Sequence, residues 1–141
     1  MQKSVAKSVI SKSKAELKSS FPPKHIEPYQ YWGKLVKIID GDTYELEVAL
    51  GFNITVHERF RLLGVNTPEI HGVKINSAEY KRGMKTMEYI NTILHVNDWV
   101  EIKVYYNKKE KYGRWLCDMY VGQLHINASL LEKELAEPMN Y

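Results

Sequence analysis

Between Tyr31 and Leu63 the chain is built of strand-like runs cut by two turn signals. Thr43–Leu50 is the clearest run: Tyr44, Leu46 and Val48 fall on one face, Glu45 and Glu47 on the other. Alternation at a period of two marks a strand with one buried face and excludes an amphipathic helix, whose period is about 3.6. The interruptions are Asp40-Gly41-Asp42 and Gly51-Phe52-Asn53, residues that accept the backbone angles of tight turns. Tyr31–Ile39, Thr43–Leu50 and Ile54–Leu63 are therefore expected to form a three-stranded meander.

That topology brings two later motifs together. The first strand runs up, the second down and the third up. The Asp40-Gly41-Asp42-Thr43 turn and the Asn66-Thr67-Pro68-Glu69 loop then emerge at the same end. Asp42, Asn66 and Glu69 become neighbours, with Arg61 just below them on the third strand. Oxygen ligands beside a guanidinium suit a hard cation together with a phosphate. The plainer reading stays open at this point: Asp-Gly-Asp makes a hairpin and Thr-Pro-Glu ends a strand.

Beyond a loop over Gly64–Asn76, Ser77 is the expected cap of a helix running to about His95, with Tyr80, Met84, Met87, Ile90 and Leu94 as its apolar stripe. Trp99–Tyr106 and Arg114–Val121 read as two further strands, and Asn127–Ala136 as a short closing helix capped by Asn127. Five strands with a helix between the third and fourth, plus a short C-terminal helix, define a mainly β (α+β) chain. They match an OB-fold, a five-stranded partly open barrel.

Composition narrows the classes further. One cysteine, Cys117, allows neither an internal disulfide nor a cysteine-based zinc site, and a packed thiol is expected. The five histidines (His25, His57, His71, His95, His125) show no metal-ligand spacing, and only His71 lies near the proposed site. No stretch approaches the roughly 20 apolar residues of a membrane span, so no membrane partner is expected. The net charge of +3 is unevenly placed: residues 1–24 hold six lysines against one acid, and the remaining residues are net negative by two. Residues 1–24 are thus read as a Lys/Ser-rich basic tail or loose helix, and residues 25–141 as the functional domain. The lysines interrupt every apolar run in the tail, so no export signal is expected, and an intracellular location follows.

The string from Val36 to Glu69 contains Asp40-Gly41-Asp42-Thr43 and then Phe60-Arg61-Leu62-Leu63-Gly64-Val65-Asn66-Thr67-Pro68-Glu69. It resembles the staphylococcal nuclease family, and Lys111-Tyr112-Gly113-Arg114 is similar to that family's turn before its last strand. The resemblance covers about residues 31–137. It implies a calcium-dependent phosphodiesterase acting on DNA and RNA, leaving 3′-phosphate and 5′-hydroxyl ends. By the same resemblance Glu69 would be the general base, and Arg61 and Arg114 would hold the phosphate and stabilise its developing charge. Asp42, Asn66 and the main-chain carbonyl of Thr67 would face calcium. Lys111 and Tyr112 would contact a neighbouring phosphate, and Asp40 and Thr43 would support the site from behind. A monomer without a protein partner is expected.

Asn66 departs from the family pattern, which has an aspartate there. Calcium affinity falls with ligand charge count, so weaker calcium binding is expected. The alternative function is an OB-type module that binds nucleic acid without efficient cleavage. Tyr105, Tyr106 and Tyr112 flank the Lys108-Lys109-Glu110-Lys111 turn, a combination that could stack bases and follow a phosphate backbone.

Overall fold

The computed structural model describes residues 29–109 and 112–140. The basic segment 1–24 and Lys111 lie outside these residues.

The expected meander is present as β1 (Tyr29–Asp40), β2 (Thr43–Gly51) and β3 (Ile54–Leu62), each pair antiparallel. The β2–β3 turn places Phe52 and Asn53 at φ 55° and 60°, the left-handed angles a tight hairpin needs. Two register shifts interrupt β1, between Leu35 and Lys37 and between Ile38 and Asp40. Irregularities of this kind re-aim side chains, and the second lies directly before the Asp40–Thr43 turn.

β4 (Val65–Asn66) follows, and then α1 (Ala78–Ile93). Ser77 caps α1 as expected, its hydroxyl accepting the Tyr80 N–H at 3.2 Å. β5 (Trp99–Lys109) pairs antiparallel with β1, and β6 (Trp115–Val121) with β5. The barrel closes where β6 runs parallel to β3, matching Phe60 with Trp115, Arg61 with Leu116 and Leu62 with Cys117. The result is a closed five-stranded mixed barrel with two helices, the OB-type architecture. β7 (Leu124–His125), α2 (Ile126–Glu132) and β8 (Glu137–Pro138) complete the chain.

The core holds the inward faces of all five strands with Ile90 from α1, Leu94 at its C-terminal cap, and Ile126 and Leu130 from α2. Each such fully buried apolar side chain contributes roughly 1.5–3 kcal/mol by leaving water. Cys117 packs in this core as expected, and burial pushes its thiol pKa up. Tyr44 is also fully buried, and its hydroxyl donates to the Gly41 carbonyl at 2.7 Å. The core thereby grips the Asp40–Thr43 turn from below.

Two helix details differ from expectation. The buried line of α1 runs through Gly83, Thr86 and Ile90, while Met84 is exposed. Of the expected stripe, Ile90 and Leu94 are buried and Tyr80 and Met87 half-buried, so Met84 alone departs from it, while Gly83 and Thr86 are buried beside it. In α2 Asn127 is not the cap; His125 occupies that position without a capping bond. Asn127 is buried two residues further in, accepting the Met119 N–H at 3.0 Å and donating to the carbonyls of Leu63 and Cys117 at 2.9 and 3.1 Å. It adds bonds to backbone groups along the β3–β6 closure, where the Cys117 carbonyl also accepts the Leu63 N–H at 2.8 Å. Among the described residues, no helix is long and apolar enough to cross a membrane.

Candidate functional site

The site gathers where the β1–β2 turn meets the chain leaving β3. Gly41 permits that meeting: a Cβ there would lie 2.8 Å from Thr67 Oγ1 and 2.9 Å from Thr67 Cβ. Thr67 is in turn fastened to the turn, its N–H donating to Asp42 Oδ2 at 3.1 Å.

Asp42 and Arg61 form the centre, both about 95% withdrawn from solvent (5% exposed) and joined at 3.2 Å. Arg61 Nη1 donates to the carbonyls of Leu62 and Val65 at 3.1 and 2.9 Å. Its Nη2 reaches Asp42 Oδ2 and Asn66 Oδ1, each at 3.2 Å, and Met139 Sδ at 3.4 Å. Met139 arrives because β8 pairs with β4, setting Asn66 opposite Glu137 and Val65 opposite Pro138. The guanidinium thus ties together the end of β3, the Asn66–Thr67 loop, the β1–β2 turn and the C-terminal strand. Arg114 sits further out, half-buried, donating from Nη1 to Thr43 Oγ1 at 2.9 Å with its guanidinium 5.5 Å from the Tyr112 ring centroid. Thr43 itself donates to Asp42 Oδ1 at 3.2 Å, so Arg114, Thr43, Asp42 and Arg61 are one connected chain of bonds.

The two aspartates of the turn behave oppositely. Asp40 is pushed up to about 7 by burial, by its hydrogen bond with Asp42 and by the charges of Asp42 and Glu69. For Asp42, burial works upward, but the bond with Asp40, the Arg61 charge, the Thr67 N–H and Thr43 together hold it below the usual carboxylate range. Asp40 also accepts the Asp42 N–H at 3.1 Å. Two close carboxylates raise one another's pKa, and the one beside the Arg61 guanidinium is the one that ionises first.

Glu69 is exposed and lines a cleft of about 170 Å³ with Asn66 and Thr67. Glu79, Glu134 and Glu137 share that cleft, with Arg82 as its one basic residue. The Glu69 N–H donates to Glu79 Oε1 at 3.4 Å, which ties the loop to the first turn of α1. On the other side of the loop, His71 Nε2 bonds the Ile39 carbonyl at 2.9 Å, anchoring it to the end of β1.

Asp40, Asp42, Thr43, Arg61, Asn66, Thr67, Glu69, Tyr112 and Arg114, singled out from sequence, thus gather around one end of the barrel seam. Glu79, Gly83 and Met139 were missed. Glu79 had a local signal as an acid in a helix's first turn, and Gly83 had one as a glycine inside a helix. Met139 had none, since its contact with Arg61 spans 78 residues.

Among the described residues, no group of three or more His, Cys, Asp or Glu is gathered to hold a metal ion. The donors at the turn nevertheless suit a hard cation: carboxylates of Asp40 and Asp42, the Asn66 amide oxygen, and an acidic cleft beside them. Asn66→Asp would complete a carboxylate trio. It is expected to tighten calcium binding about tenfold in a calorimetric titration; unchanged affinity would count against a cation at this turn.

Comparison with known proteins matches residues 59–141, more than half of the chain, to the family described as staphylococcal nuclease homologues. The chain belongs to this family. It is 28% identical to a thermonuclease of Staphylococcus hyicus, over 77% of this chain and 59% of that protein. It is 33% identical to the uncharacterized protein MJ1439 of Methanocaldococcus jannaschii, over 72% of this chain and 56% of that protein. It is also 31% identical to the endonuclease YhcR of Bacillus subtilis, over 62% of this chain but 7% of that protein. The chain therefore spans little more than half the length of two of these relatives and a small part of the third.

Proposed function

We propose that this chain is a nuclease that hydrolyses phosphodiester bonds of DNA and RNA, with calcium, to 3′-phosphate and 5′-hydroxyl ends. The observation that carries the reading is the bonded chain Arg114–Thr43–Asp42–Arg61, set beside a loop that presents Glu69. Family membership and relatives named thermonuclease and endonuclease support it.

In this reading Glu69 takes a proton from water as the water oxygen forms its bond to phosphorus. The bond from phosphorus to the 5′ oxygen breaks, and that oxygen leaves as a hydroxyl after taking a proton from solvent. Arg114 reaches the phosphate, because its guanidinium is the more exposed of the two. Arg61 adds its charge from within and keeps the loop in register with the turn. Preorganised donors of this kind lower the barrier most when they need not reorient as charge develops. Asp42, Asn66 and the Thr67 main-chain carbonyl would hold the calcium, with Asp40 behind them, and the ion when bound supplies charge compensation at the phosphate oxygens. Tyr112, and Lys111 by the family resemblance, would meet a neighbouring phosphate.

Digestion of single-stranded DNA, duplex DNA and RNA, with calcium or with a chelator, tests the reading. Cleavage should require the cation and fall by about 10²–10⁴ in Glu69→Gln, the range of a lost general base. Intact substrate at high calcium, with binding retained, would instead identify a binding module. Asn66, which removes one carboxylate from the family's cation site, is the feature that favours this second reading.

A further inference from the structure

β3 separates two clefts beside Arg114. Side chains alternate along a strand, so His57 and Arg59 face one side while Val56, Glu58 and Phe60 face the other. The first cleft, about 240 Å³, is polar, with Arg59, His57, Glu45, Tyr112 and Arg114 in its walls. The second, about 320 Å³, is the mouth of the barrel, with Tyr29, Tyr31, Val56, Phe60, Tyr105 and Trp115 in its walls. Glu58 lines both. The clefts also meet through consecutive residues, Arg114 lining the polar one and Trp115 the aromatic one.

The seam explains why they communicate. β6 pairs with β3 only from Phe60 to Leu62. From Ile54 to Arg59, the edge of β3 facing away from β2 has no strand partner among the described residues. β3 thus extends past the closure of the barrel there, with that edge running between the two clefts.

We propose that the barrel mouth is a base-binding subsite. It takes an unstacked nucleobase of a single strand whose backbone crosses the seam where Arg114 meets Trp115, with a flanking phosphate in the polar cleft between Arg59 and Arg114. This rests on the nuclease reading only for the class of ligand. The occupant follows from the division itself: a single strand carries phosphates on one side and flat apolar faces on the other. The two clefts offer Arg59 and Arg114 on one side, where Arg59 stands 3.6 Å from Glu45 with its side chain 59% exposed, and aromatic rings on the other. Every base has a π-face, so aromatic walls stack bases without demanding a particular sequence. Glu58 at the rim adds one polar criterion, since a carboxylate accepts from an exocyclic amino group such as cytosine N4.

Val56 lies at the rim, 36% exposed, so a tryptophan there can narrow the mouth from its outer edge. Fluorescence anisotropy in chelator would compare a labelled single-stranded oligodeoxynucleotide, its duplex, and a strand of the same length made of abasic units. Val56→Trp is expected to weaken the single strand about tenfold and leave duplex and abasic strand unchanged. Arg59→Ala is expected to weaken single and abasic strands alike. A second readout needs no change in the mouth. Trp32 and Trp99 are exposed, and their replacement by Phe leaves Trp115 as the one tryptophan of the three in the chain. Its emission should shift when the single strand binds and stay constant with the abasic strand.

Equal affinity of Val56→Trp and the native protein for the single strand would overturn the proposal, as would a constant Trp115 emission. A native dimer that Val56→Trp dissociates would also overturn it, by assigning the mouth to a second copy of the chain. If the native protein cleaves but the mouth variant is unaltered, the subsite alone falls. If it neither binds nor cleaves any nucleic acid, the nuclease reading falls with it.

Discussion

Arg61→Lys is expected to lower stability by about 2–4 kcal/mol and to abolish most cleavage, whereas Arg114→Lys should lose cleavage with little change in stability. The two arginines look alike in sequence, but their surroundings separate them. Arg61 is 5% exposed and spends its two Nη groups on two carbonyls, a carboxylate, an amide oxygen and a thioether. A lysine ammonium is a point charge with three donors and cannot span that set. The Val65 and Leu62 carbonyls would then be left short of a donor in a buried place, and such losses cost about 1–3 kcal/mol each. Arg114 is half-exposed, bonded to the Thr43 hydroxyl beside the Tyr112 ring, so lysine can keep its charge near the site at a smaller cost to the fold than at Arg61. What it loses is the planar fork, worth roughly 10²–10³ in rate where it stabilises developing charge. Urea denaturation and single-turnover cleavage, run on both variants, would check the split. Equal stability for the two variants would show that Arg61 is not the tie between turn, loop and C-terminal strand.

The difference between these arginines marks where sequence reasoning stops. The meander, its turns and the Ser77 cap were readable because each depends on residues within a few positions: alternation at period two, glycine and aspartate at turns, a hydroxyl before a helix. The up-down-up order of the meander also put the Asp40–Thr43 turn and the Asn66–Glu69 loop at one end of the sheet, where Thr67 meets Asp42. The burial of Arg61 was not readable. It depends on partners 4, 5, 19 and 78 positions away, the last through a two-residue strand with no periodicity of its own. Asn127 failed for the same reason. Locally an asparagine before an apolar run is a cap, and only the parallel closure of β3 on β6 supplies the three backbone groups it serves. Met84 was misplaced because hydropathy ranks methionine above glycine, whereas the position that packs on the Glu69 loop is its neighbour Gly83.

Gly83→Ala is expected to reduce cleavage about 10–100-fold in a protein that still folds, although Gly83 touches no proposed substrate. Two effects compete. Alanine inside a helix gains about 1 kcal/mol over glycine in intrinsic propensity. Against this, a Cβ at position 83 would stand 2.5 Å from Ile70 Cγ2, 2.9 Å from the Pro68 carbonyl oxygen and 3.1 Å from that of Glu69. The Ile70 methyl belongs to a side chain and can turn away, but the Pro68 and Glu69 oxygens are backbone and move only with the loop. Overpacking of this kind costs about 1–3 kcal/mol, so the net effect is destabilising by up to about 2 kcal/mol. The loop cannot yield easily on its far side, where His71 is bonded to Ile39, nor on its near side, where Thr67 is bonded to Asp42. The displacement therefore falls on the segment between them, which carries Glu69. A misplacement near 1 Å is enough to cost about 10²-fold in a positioned reaction. The measurement is kcat and KM on single-stranded DNA beside thermal unfolding. Lower kcat with KM nearly unchanged is expected, because Arg114 and the polar cleft are untouched. A variant that is more stable than the native protein and equally active would show that α1 does not set the position of Glu69.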